Sequence, residues 1–240
     1  MPVVSSVTGC STWSRVLTSR KKNFPVVLFI HGGGLQSGDK SKLEQVGLVA
    51  DAAESEALAA SVVDTAGVYI VPAFTGLGAP HWDAEARGLI TGITRGAGRA
   101  HIVRAALESI AYQVGDLVEC FAEDAGGAPT ELQVDGGASA NDFLMQFQAD
   151  VLGVPVVRPE NLEVTAFGAA LLAGLGAGVW QDAGELAGVV KEGARFDPDM
   201  GAERRAELCS GWRRAVARAC LLYTSPSPRD RSTSRMPSSA

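Results

Sequence analysis

The chain has 240 residues and a 46% apolar fraction, enough for one large or two small domains around a sizeable core. A formal charge of −6 gives no reason to expect nucleic acid or an anionic membrane as a partner. Cys10, Cys120, Cys209 and Cys220 are scattered without a CxxC pair, which speaks against a zinc site or a disulfide framework and for reduced thiols, and there is neither an 18-residue apolar run nor a signal-peptide core.

The charge is unevenly spread: residues 1–43 carry a net +5, residues 44–218 a net −13 and residues 219–240 a net +2. Basic arms on an acidic domain would give this pattern. So would three pieces of separate origin, which the Ala/Gly/Val/Leu-rich composition of the middle piece favours. In the first piece, Phe24 to Ile30 reads as a buried strand ending in the glycine loop His31-Gly32-Gly33-Gly34. Residues 24–38 resemble the oxyanion-hole segment of α/β-hydrolase carboxylesterases, whose backbone N–H groups stabilise a tetrahedral oxyanion. The chain has no GxSxG elbow, and none of His31, His81 and His101 follows a nucleophile and an acid in the hydrolase order, so acyl chemistry is not expected.

From Leu48 the character changes. Asp51 to Ser61 is helical by propensity, Asp64 to Gly67 is a turn, and Val68 to Phe74 is a strand that Pro72 should end early or confine to an edge. Thr75 to Arg87 reads as an irregular loop that packs on the core, with Trp82, Asp83 and Arg87 in structural roles within it. Gly88 to Thr94 is a second short strand or turn. Apolar residues repeat at helical spacing from Ala100 to Ala122, with Arg104, Glu108, Asp116 and Glu119 mostly on other faces.

The segment Glu131 to Gly153 carries the candidate site. Leu132 and Val134 form a strand, the chain turns at Asp135-Gly136-Gly137, and a helix begins near Ser139, with Ser139 as its cap and Asp142 as capping-box partner. Phe143, Phe147 and Val151 mark its apolar face, and Gly153 its end. Two glycines between a strand and a helix N-terminus admit an anionic ligand to bare backbone, although most such turns are only turns. Val154 to Val157 is a further strand, Arg158 to Asn161 a turn, and Thr165 a cap for the small-residue helix that follows. Helical patterns near Asp182 to Glu192 and Glu203 to Ala219 complete an α/β layer fold. The Ser/Pro/Arg-rich stretch 220–240 is expected to be disordered and resembles translated sequencing-adapter DNA.

Several runs in the middle piece, from about residue 48 to 219, stand out together: GVYIVPAFTGLGAPHWD (67–83), GLITGITRGAGRAHIVRAALE (88–108), VDGGASANDFLMQFQAD (134–150) and ENLEVTAFGAALLAGLGAGVW (160–180). They resemble the C-terminal domain of the FGGY family of carbohydrate kinases, in wording closer to its glycerol-phosphorylating branch than to the xylulose, gluconate or ribulose branches. The resemblance implies part of an actin-like, ribonuclease-H-like ATPase fold lacking its first strands. It implies ATP with Mg²⁺ as cofactors, glycerol as acceptor, a cytoplasmic setting and possible homo-oligomers of the full-length form. By the same resemblance, Gly137 and Asn141 match nucleotide contacts, Gly136 and Ala138 flank them, and Asp135 holds the loop or acts through metal-bound water. The family's general base lies in an N-terminal domain that residues 1–47 do not resemble. The expectation is therefore a nucleotide-binding half that is inactive alone, with a non-catalytic nucleotide-binding module as the alternative and an unpaired sheet edge where strands are missing.

Overall fold

The computed structural model describes residues 26–27, 48–50, 52–186, 189 and 191–224; the HGGG loop and the adapter-like stretch beyond Thr224 lie outside the described residues. A four-stranded sheet carries the architecture. Its strands are β1 (Val26–Val27), β4 (Leu132–Gln133), β5 (Val156–Pro159) and β6 (Glu192–Phe196), in the order β1-β4-β5-β6. β4 pairs parallel with β1 and with β5, and β6 closes antiparallel on β5. Val26 and Val27 come alongside Leu132 and Gln133, and β1 is in turn the outer strand on that side of the sheet among the described residues. A separate hairpin pairs β2 (Tyr69–Val71) antiparallel with β3 (Leu89–Thr91). Pro72 ends β2 as expected, since proline has no N–H to offer the next rung.

The helices are α1 (Ala52–Ala60), α2 (Arg99–Ala125), α3 (Asp142–Leu152), α4 (Val164–Gly176), the single turn α5 (Ala183–Leu186) and α6 (Ala202–Thr224), of which α2, α3 and α6 pack on the strands. The long α2 is the packing spine. It begins after Gly98, whose N–H donates to His101 Nδ1 (3.1 Å), and it stops at Gly126 in the left-handed region. Ala111, Tyr112, Val114 and Val118 of α2 join Leu132, Val156, Leu144, Phe147, Trp212 and Val216 in one buried cluster. Each such aliphatic side chain, once fully buried, contributes about 1.5–3 kcal/mol. Tyr112 stacks on Trp212 (5.3 Å between centroids) and meets Phe147 edge-on (5.5 Å), so α6 and α3 are fixed to the same ring.

Five expectations are corrected. Glu108 is not on an outer face: it is only 4% exposed, because α1 lies over that side of α2 and Arg104 pairs with it there (2.8 Å). Trp82 does not pack on the core but is exposed, while Asp83 and Arg87 do hold their loop together, Asp83 by accepting from the N–H groups of Glu85 and Ala86, and Arg87 by donating to the carbonyls of Ala84 and Ala86. Thr165 lies inside α4; the residue before the helix is Glu163, and Asn161 Oδ1 accepts its N–H (3.0 Å). Over Asp182 to Glu192 the described residues hold the short helix α5, and Glu192 opens strand β6 instead of ending a helix. Finally, α6 runs through Cys220 to Thr224, beyond the expected start of the tail.

Candidate functional site

The segment after β4 places every candidate residue on one crossing from strand to helix. Val134 continues from the strand, its N–H donating to Val157 O (3.0 Å). Asp135 follows, half-buried, and then Gly136 takes φ +81°, ψ 173°. That backbone region is essentially open to glycine alone, so the first glycine of the pair is dictated by the bend itself. Gly136 is also anchored: its N–H donates to Leu162 O (3.0 Å), ahead of α4.

Gly137 to Ala140 form a 3₁₀ turn, and this changes the expected cap. Ser139 does not cap the helix. Its hydroxyl donates back to Gly136 O (2.6 Å), and its own N–H reaches the same carbonyl (3.0 Å). Asn141 is the N-cap of α3, with Oδ1 accepting from Leu144 N (2.9 Å). Asp142, expected as capping-box partner, pairs instead with Arg158 (2.7 Å). Gly153 ends α3 as expected, at φ +69°, with its N–H on Ala149 O (2.8 Å).

Gly137 and Ala138 are exposed, and as the first residues of a 3₁₀ turn their N–H groups have no partner within it. Asn141 stands half-buried beside them with its amide oxygen used by the cap and its amide nitrogen left over. The arrangement offers an incoming ligand backbone donors on exposed residues, one amide donor and the positive end of α3. These groups suit a nucleotide. Among the described residues no cluster of three or more His, Cys, Asp or Glu could hold a metal ion.

The structure brings Gly136, Gly137, Ala138 and Asn141 together, with Asp135 at the entrance of the turn. Two participants were not singled out from sequence. Leu162 serves through its carbonyl, which no side-chain pattern reveals. Arg158 was read as part of a turn, and its link to Ser139 and Asp142 depends on strand pairing that local sequence does not encode. A groove of about 490 Å³ opens among Pro159, Glu160, Asn161, Val164, Phe167, Val189 and Lys191, on either side of Leu162 in the chain. A smaller cavity of about 140 Å³ beside Tyr112, Asp116 and Trp212 contains none of the candidate residues.

Comparison with known proteins gives a consistent outcome. The model of the FGGY family of carbohydrate kinases, C-terminal domain, matches residues 35–177. The chain is 57% identical over 174 residues to a glycerol kinase of Dechloromonas aromatica and 60% identical over 174 residues to one of Aromatoleum aromaticum. Each match takes in 72% of this chain and 35% of the relative, so the chain spans about a third of the length of these relatives. Among solved structures it is similar to a Plasmodium falciparum glycerol kinase crystallised with ADP, with a TM-score of 0.70 and 36% identity, covering 77% of this chain and 37% of that one.

Proposed function

The chain belongs to the FGGY family of carbohydrate kinases through that family's C-terminal domain, and from this we propose that it supplies the nucleotide-binding half of an ATP-dependent glycerol kinase. The overall reaction is transfer of the γ-phosphoryl group of ATP to a glycerol hydroxyl, giving glycerol 3-phosphate and ADP. Phosphoryl transfer asks a protein chiefly for positioning and charge neutralisation. This chain's part is positioning. The N–H groups of Gly137 and Ala138 and the amide of Asn141 receive the nucleotide, Gly136 sets the bend, and Asp135 steadies the entrance or meets water on the Mg²⁺ that accompanies the phosphates. Glycerol contacts and the general base are assigned to the part of the full-length kinase outside the match, so the chain alone is expected to bind nucleotide without turning it over. A cytoplasmic setting and homo-oligomers of the full-length form are part of the same proposal.

The observation that supports this reading best is the exposed 3₁₀ turn at the head of α3, inside a segment similar to glycerol kinases. Calorimetric titration of the purified chain with ADP, and with ATP plus Mg²⁺, tests it. Saturable binding that weakens in Asn141→Ala is expected. Binding that Asn141→Ala leaves unchanged would show that the nucleotide sits elsewhere.

A further inference from the structure

We propose that Arg158 is a positioning residue for the nucleotide turn, a clamp that fixes the peptide planes of Gly137 and Ala138 from the side of the sheet. The proposal rests on the nucleotide reading above. Arg158 lies in β5, with its side chain 17% exposed. Its Nη1 donates to the carbonyl of Ser139 (2.6 Å) and to Asp142 Oδ1 (2.7 Å). Its guanidinium lies over the ring of Phe196 in β6, 5.3 Å from the centroid. One flat cation therefore ties two sheet strands to both ends of the gap between the 3₁₀ turn and α3.

The turn is consequently held at two points with the exposed donors between them. On one side Gly136 N–H is fixed to Leu162 O; on the other, the carbonyl of buried Ser139 is fixed to Arg158. A donor that must meet a ligand at hydrogen-bond distance gains from such fixing, since small displacements forfeit the contact. Arg158 Nη1 is occupied by Ser139 and Asp142, and its charge is met by that carboxylate. The β4–β5 rungs at Leu132↔Val156 and Gln133↔Val157 are backbone pairings that do not use the guanidinium, and Leu132 and Val156 are buried.

The experiment compares wild type, Arg158→Met and Arg158→Lys in the full chain by two measurements. Amide hydrogen exchange without ligand reports residues 136–142 directly, and calorimetry reports ADP affinity. Arg158→Met is expected to speed exchange in the turn while α2 and α6 keep their protection, and to weaken ADP by about tenfold, the equivalent of one or two hydrogen bonds to the nucleotide. Arg158→Lys, whose ammonium reaches the same acceptors without a flat face for Phe196, is expected to recover part of both effects. Unchanged ADP affinity in Arg158→Met overturns the proposal, and so does exchange that rises equally through α2 and α6. Should the wild-type chain bind no ADP, the nucleotide reading fails separately. Exchange then decides the clamp: faster exchange confined to 136–142 upholds it, and unchanged exchange there overturns it.

Discussion

Replacing Arg104 by methionine should destabilise the domain more than any surface change of similar size. Arg104 Nε donates to Glu108 Oε1 (2.8 Å), and its Nη1 reaches the carbonyls of Val62 (2.5 Å) and Ala59 (3.4 Å) at the end of α1. Glu108 accepts a second, longer bond from the Tyr112 hydroxyl (3.4 Å) and is otherwise enclosed. Burial already pushes the Glu108 carboxyl above its ordinary value, against the opposing pull of the Arg104 bond and charge. Without Arg104 the carboxylate keeps only the weaker Coulombic pull of Arg204 to offset its lost hydration. Removing one partner of a buried pair costs about 3–5 kcal/mol, which for a domain of this size lowers Tm by roughly 10 °C.

The pH dependence has a definite sign. A carboxyl whose folded pKa exceeds its unfolded one favours folding fully below the unfolded value and loses that contribution as pH rises through the folded value. The variant raises the folded value further, so its deficit against wild type is largest at neutral pH and shrinks as pH falls towards the ordinary carboxylate range. Urea and thermal unfolding across that range supply the assay, with the double variant Arg104→Met/Glu108→Leu recovering most of the loss because it leaves no buried charge. A neutral-pH deficit below about 1 kcal/mol, typical of an exposed pair, would refute the reasoning. A deficit indifferent to pH would do the same.

Asn141→Asp keeps the oxygen that caps Leu144 N but gives up the amide donor; unfolding should shift by no more than about 0.5 kcal/mol while ADP affinity falls about tenfold. Equal affinity in the two proteins would remove Asn141 from the site. Gly136→Ala forces a Cβ into the φ +81°, ψ 173° backbone and should cost about 1–3 kcal/mol in urea titration; an unshifted midpoint would mean that the turn relaxes freely. Trp212→Phe removes the indole donor on Asp116 Oδ2 (2.8 Å) and should cost about 1.5–3 kcal/mol. His81 Nε2, 3.3 Å from the same oxygen, remains; a Tm equal to wild type would show that it suffices.

Much of the fold could be read from residue spacing, and the failures have physical causes. The apolar repeat of α2 and the stop at Gly153 were legible because each is local. Glu108 was not, because an i,i+4 Arg–Glu pair looks the same on a solvated face as under a second helix, and only the docking of α1 distinguishes them. Strand β6, Glu-Gly-Ala-Arg-Phe, has no alternation to detect; pairing with β5 makes it a strand. The cap was misplaced by two residues because Ser139 could accept from the helix or donate to Gly136, and the intervening 3₁₀ turn decided for the second. The candidate residues themselves were legible as a glycine turn before a helix. The arginine behind them was not, since it is sixteen residues from Asp142 in the chain.

Gly136 also bears on how this segment can vary by inheritance. Any one-base change in a glycine codon that alters the residue installs a Cβ, whichever of Ala, Ser, Cys, Asp, Glu, Val, Arg or Trp results. At φ +81° and ψ 173° every one of those neighbours meets the same backbone obstacle. The turn therefore has no adjacent working variant at that codon: it can be kept or broken in a single step but not adjusted. Variation in ligand preference must then come from positions around the bend, such as Ala138 and Asn141, whose backbones tolerate ordinary side chains.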